Sequence, residues 1–220
     1  VFTWKYTKIT LLDTPGHVDF SAEMERVLQV LDCAVLVISG ADGIQGHTET
    51  LWRLLKRYDI PTFIFVNKMD QDGTDRDSLM EELKERFGEE CVDFAGVSGG
   101  EPEALEELAF CDEEVMEEYL ETGTVSGNSI RRSVAERKLF PCFFGSALHV
   151  QGVEELLDGL EQFTRTPQYG EEFGAKAYKI ARDDQGNRLT YLKITGGALS
   201  VKEVLPDGEE KVNQIRIYSG

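Results

Sequence analysis

A chain of 220 residues can bury a sizeable core without metal or disulfide staples, and its length suggests one ordinary domain plus a partial or small second one. Its 41 Asp and Glu against 23 Lys and Arg give a formal net charge of −18, so direct nucleic-acid binding, which needs clustered cations, is not expected of this stretch. Cys33, Cys91, Cys111 and Cys142 are scattered with no C-x-x-C pair, so neither a zinc site nor a disulfide framework is readable, and the apolar runs are too short to span a bilayer; no membrane partner and a reducing, cytoplasmic setting are expected.

Residues 1–12 mix β-branched and aromatic positions and end in the apolar run Ile9-Thr10-Leu11-Leu12, which reads as two short strands or a bent hairpin. From Asp19 the period changes: Phe20, Met24, Val27, Leu28 and Leu31 predict a helix with one apolar stripe. Residues 33–39 form a buried-type strand, and Leu51, Leu54, Leu55 and Tyr58 predict one face of the next helix. Residues 61–66 are a second buried strand, 76–87 a helix, 140–144 a third buried strand, and Val153, Leu156, Leu157 and Leu160 mark a last helix. Between them, residues 88–121 concentrate the acidic surplus; the run is a solvated helical face or a docking surface for a basic partner.

Buried strands alternating with helices define the α/β class, a doubly wound, mostly parallel sheet with ligands at the carboxyl ends of its strands. After Pro167 the texture becomes short strands and polar turns: residues 175–181, the turn 183–187, then 189–195 and 214–218. That spacing fits the start of an antiparallel β-barrel or sandwich. The expected domains are residues 1–168 and 169–220.

Three strand ends carry chemistry. The first gives Asp13-Thr14-Pro15-Gly16-His17. Asp13 is placed to hold Mg²⁺ directly or through water, Gly16 lets a backbone N–H approach a terminal phosphate, and His17 can orient an attacking water. The bland alternative is a Pro-Gly turn closing a strand. The second gives Asn67-Lys68-Met69-Asp70. A carboxylate at Asp70 accepts from the N1–H and exocyclic amine of guanine, whereas adenine presents an acceptor at N1 and leaves it unpaired. Asn67 can tie neighbouring loops to the base edge, and the stem of Lys68 can lie over the ring. The third gives Gly145-Ser146-Ala147, small residues that let the Ala147 N–H come near a guanine carbonyl. The first and third signals are weak alone and the second carries more, but all three follow buried strands in the order phosphate, base, base.

On these motifs the chain resembles the translational GTPases. Asp13-Thr14-Pro15-Gly16-His17-Val18-Asp19-Phe20 is similar to their switch II signature, Asn67 to Asp70 to their guanine motif, and Gly145-Ser146-Ala147-Leu148 to their last guanine loop. The resemblance extends over essentially all of the chain. Elongation factor G is similar but has a longer insertion between the guanine motifs, which here lie about 75 residues apart. The phrases Val30-Leu31-Asp32-Cys33-Ala34-Val35-Leu36-Val37-Ile38, Asp70-Gln71-Asp72-Gly73 and Arg188-Leu189-Thr190-Tyr191-Leu192 resemble the tetracycline-resistance ribosomal protection proteins. The resemblance implies a cytoplasmic factor that binds the ribosome and hydrolyses GTP to GDP with Mg²⁺. Alternatives are an elongation or release factor without a resistance role, and a non-enzymatic interaction module; an ATP-using relative is disfavoured by Asp70.

No G-x-x-x-x-G-K-[ST] occurs in these residues. The expectation is therefore an N-terminally truncated GTPase domain lacking its first strand, its phosphate loop and the switch I threonine, and inactive alone. Loss of a central strand would leave two unpaired ladders, closed up, hydrated or covered by self-association with another copy.

Overall fold

The computed structural model describes residues 1–14, 22–205 and 211–217, with side chains from residue 25 onward in the first helix. They fall into two compact units, residues 31–166 and residues 1–30 with 167–220.

The larger unit is built on strands with almost no polar residue to solvate. These are β3 (Ala34–Ser39), β4 (Thr62–Asn67), β5 (Cys91–Asp93) and β6 (Phe140–Phe144), all parallel, in the order β3-β4-β6-β5. Alternation along the strands divides the core into two layers. Phe63, Phe65, Val92 and Phe143 point to one side, where α4 (Phe94–Gly99), α5 (Pro102–Ala109), α6 (Glu113–Thr122), α7 (Gly127–Ala135) and α8 (Val153–Phe163) cover them. Leu36, Ile38, Ile64, Val66, Phe140 and Cys142 point to the other, under α2 (Gly46–Arg57) and α3 (Arg76–Phe87). Helices on both faces make the sheet doubly wound, as the alternating sequence predicts.

Several elements differ from the expectation. The α2 helix buries Thr48, Trp52 and Leu55 rather than Leu51, Leu54 and Tyr58, because Trp52 stacks on Phe87 with ring centroids 4.5 Å apart and meets Phe140 edge-on at 4.6 Å. An aromatic cluster outweighs a periodic leucine stripe. The acidic run is not one solvated face: it holds β5, α4, α5 and α6, whose Val92, Phe94, Leu108 and Val115 are fully buried.

In the smaller unit, β1 (Phe2–Trp4) and β2 (Thr7–Ile9) form an antiparallel hairpin, while Leu11 and Leu12 lie outside any strand. The helix α1 (Ala22–Leu28) follows, shorter than predicted, and Phe20 lies outside the described residues. Strands β7 (Gly174–Arg182) and β8 (Arg188–Gly196) pair antiparallel, joined by the expected turn, in which Asp183 accepts from the amides of Gln185 and Asn187. Residues 214–217 form no strand, contrary to the prediction; Ile217 is 86% exposed, so the alternating pattern there has no layer to pack against. Lys193 and Lys176 donate to the carbonyls of Val30 and Gln29 just past α1, where the helix dipole favours cations.

Candidate functional site

The carboxyl ends of β4 and β6 carry the two sequence-predicted loops of the larger unit, and backbone bonds lock them together. The Gly145 amide donates to the Val66 carbonyl (2.9 Å), and the Met69 amide donates to the Gly145 carbonyl (3.0 Å). The Asn67 side-chain oxygen accepts from two amides, those of Lys68 and Ala147, each at 2.8 Å. One side chain thereby closes both loops around itself. Lys68 has φ +64, a left-handed conformation uncommon for a residue with a Cβ, and such strain persists where surrounding bonds over-determine it.

Gly145 is required by close approach. A Cβ there would collide with the Gln151 carbonyl oxygen, and the Gly152 Cα would lie 3.0 Å away. Ser146 and Gln151 exchange two backbone bonds of 3.0 Å each. The intervening turn, a short 3-10 helix over Ala147–His149 ending in left-handed Val150 (φ +58), presents the Ala147 side of the loop.

The Asp70 carboxyl lies at the rim of this arrangement with its side chain 29% exposed. The Ser146 hydroxyl has the largest influence on it and lowers it below the ordinary carboxylate range; slight burial acts the other way, and its own backbone amide and the charge of His149 lower it further. The Ser146 oxygen is buried without a partner of full hydrogen-bonding geometry, so its contact with Asp70 is one of electrostatic proximity. An ionised, acceptor-only carboxylate is the form that pairs two adjacent N–H groups. His149 Nε2 lies 3.6 Å from Asp70. Nothing in the residue pattern reveals that the Val150 turn brings His149 back to Asp70.

A cleft of about 310 Å³ adjoins the loops, lined in part by Ile38, Ser39, Asp42, His47, Asn67 and Lys68. Lys68 pairs with Asp42 at 3.8 Å, and the Gly40 amide donates to the Asn67 carbonyl at 2.7 Å. The loop after β3 is thus joined to the same strand end, a third contributor that the sequence reading did not name.

Asn67, Lys68, Asp70, Ser146 and Ala147 are therefore brought together in one unit. Asp13 is exposed and belongs to the other unit, several residues past the end of β2 rather than at a strand end. Gly16 and His17 lie outside the described residues. Among the described residues no group of three His, Cys, Asp or Glu is arranged to hold a metal ion, and no helix is long and apolar enough to cross a membrane.

A parallel sheet wound on both faces, with paired loops at its carboxyl edge, is the architecture of a nucleotide-binding α/β domain. Residues 1–166 match the family model described as the elongation factor Tu GTP binding domain, and the chain belongs to that family. Among curated proteins it is 30% identical to elongation factor G of Ureaplasma urealyticum, over 96% of this chain and 41% of that protein. It is 33% identical to the tetracycline resistance protein TetW of Butyrivibrio fibrisolvens, over 99% of this chain and 37% of that one. A solved structure from Thermus thermophilus shares the fold with a TM-score of 0.76 at 24% identity, over 91% of this chain and 37% of that one. The chain thus spans about two fifths of the length of the curated relatives it matches.

Proposed function

We propose that this chain is the guanine-nucleotide-binding part of a cytoplasmic, ribosome-associated translational GTPase of the elongation factor G type, with tetracycline-resistance ribosomal protection as its nearer affinity. Residues 1–168 are read as the GTPase domain and 169–220 as the start of a β-barrel domain. The observation that carries the reading is the double acceptor role of Asn67, which ties Lys68 and Ala147 together beside the ionised Asp70. These residues fit a guanine base: Asp70 accepts from its N1–H and amine, Ala147 and its neighbours face its carbonyl, and the Lys68 stem covers the ring.

In hydrolysis, Mg²⁺ neutralises phosphate charge, and Asp13 would support it, directly or through water. The exposed Asp13 carboxylate is the hard oxygen donor such a cation would take. Gly16 is assigned to the γ-phosphate and His17 to the attacking water.

The decisive experiment changes Asp70→Asn in the full chain. Xanthine presents a carbonyl where guanine has its amine, so an amide that accepts from N1–H and donates to that carbonyl should prefer it. Affinity for GDP is expected to fall by roughly 100-fold and affinity for xanthosine diphosphate to rise by a comparable factor. Equal weakening for both nucleotides overturns the assignment. In the complete parent protein, His17→Ala is expected to abolish ribosome-stimulated GTP turnover with GDP affinity unchanged; loss of both refutes its catalytic role.

Self-association through a sheet edge has one observation in its favour. Val37, in the outer strand β3, is 58% exposed, and a flat apolar edge invites pairing. A concentration-independent monomer in light scattering removes this reading.

A further inference from the structure

The base loops are joined a second time by a residue outside every nucleotide motif. Arg76 is the first residue of α3, and the polypeptide reaches it directly from Asp70. The loop between is held by internal bonds: the Gln71 amide donates to the Lys68 carbonyl (3.1 Å), and the Thr74 hydroxyl donates to the carbonyls of Met69 (3.1 Å) and Gln71 (2.9 Å). Asp75 caps the helix by accepting from the Ser78 amide at 2.9 Å, which fixes where Arg76 stands.

From there the guanidinium forks onto Asp93, with Nε to Oδ2 and Nη2 to Oδ1 both at 2.5 Å. Asp93 ends β5 and caps α4 through the Ala95 amide at 3.0 Å, so it is anchored itself. The same guanidinium lies 4.8 Å from the centroid of the Phe144 ring, within cation–π range. Phe144 is the last residue of β6, immediately before Gly145. The path is closed: Asp70, the bonded loop, Arg76, Phe144, Gly145, and back through the Gly145 carbonyl to the Met69 amide.

We infer that Arg76, clamped by Asp93 over Phe144, is a positioning residue that sets the spacing between the Asp70 loop and the Gly145-Ser146-Ala147 loop, and hence how sharply the site distinguishes guanine. The inference rests on the guanine reading proposed above. Its physical basis is the difference between rigidity and stability. The Arg76 and Asp93 side chains are 41% and 27% exposed, so solvent screens the pair and even a two-bond fork adds only about 1 kcal/mol to folding. A planar fork stacked on a ring nevertheless fixes direction in a way that a lysine ammonium does not. Small displacements at a base-reading site weaken the contact to one group more than general affinity.

The test compares GDP with inosine diphosphate, which lacks the exocyclic amine and so reports on the Asp70 contact. Competition against a fluorescent GDP analogue is measured on the full chain, wild type and Arg76→Met, alongside melting temperature. Wild type is expected to prefer GDP by roughly tenfold or more, the worth of a charge-assisted hydrogen bond. In Arg76→Met the preference should shrink to about twofold while the melting temperature falls by no more than about 4 °C, as expected for a partly exposed pair. Arg76→Lys should fall between. Should Arg76→Met fail to fold, Asp93→Asn decides, because asparagine keeps the helix cap and weakens the fork. An unchanged preference in a folded variant, with both affinities intact or lowered by one common factor, overturns the inference and leaves the guanine reading standing. A wild-type protein without preference between the two nucleotides overturns the guanine reading itself, and the inference with it.

Discussion

At Gly145 a single hydrogen atom decides whether two segments of chain can touch. The Gln151 carbonyl occupies the space of a Cβ, and both partners are backbone, so neither can rotate away. Gly145→Ala is therefore expected to push the Ser146–Gln151 turn outward and lower guanine-nucleotide affinity at least about tenfold, a displacement of the kind that costs most at a positioned site; calorimetric titration with GDP checks this. Asn67 is the complementary case, where a side chain supplies what backbone cannot. Removing its oxygen in Asn67→Ala leaves the exposed amides of Lys68 and Ala147 to water, with an expected loss of about 1 kcal/mol in chemical denaturation. Asn67, Lys68, Asp70, Ser146 and Ala147 were legible in sequence because each sits next to a strong strand signal. Asp42, Arg76 and His149 were not, since their neighbours in space are remote in sequence or reached through a left-handed turn.

At the scale of elements, Asp112 shows how the acidic segment holds its own helices. Its side chain is 2% exposed, caps α6 through the Glu114 amide at 3.2 Å, and accepts from the Ser133 hydroxyl of α7 at 2.8 Å. Lys138 Nζ, just before β6, approaches it at 3.3 Å. Burial pushes this carboxyl up, yet the Ser133 hydroxyl, the Glu114 amide and Lys138 together bring it below its ordinary value. A depressed carboxylate contributes stability above the ordinary carboxylate range and loses it as pH falls through the folded value. The melting temperature should therefore be insensitive to this group from neutral pH to about 5 and decline below about 4, and Asp112→Asn should flatten that decline. Ser133→Ala is expected to lower stability by about 1–2 kcal/mol at neutral pH, as a buried charged acceptor loses a donor. Within the segment, the caps at Asp93 and Asp112 are hidden when residues 88–121 are read as one charged run. Strand β5 was hidden for a different reason: three residues are too few to set a period.

For the whole molecule, the charge of −18 implies self-repulsion in the compact state, since 41 Asp and Glu outnumber 23 Lys and Arg. Sodium chloride at about 1 M, where the screening length falls to about 3 Å, should raise the melting temperature; a decrease would show that attractive pairs such as Arg86–Glu49 (2.8 Å) and Arg132–Glu114 (2.6 Å) dominate. Hydrophobic period and strand-end chemistry are local properties, and they were enough to define the class of the fold, the positions along the chain of its three long buried strands and the identity of the residues at the ends of two of them. Which face of α2 is buried, that β5 completes the sheet beside β6, and that Arg76, Asp42 and His149 stand beside the base loops became visible in three dimensions alone. Those outcomes depend on which surfaces meet when helices close over a sheet, and no pattern along the chain encodes a contact between segments that only packing brings together.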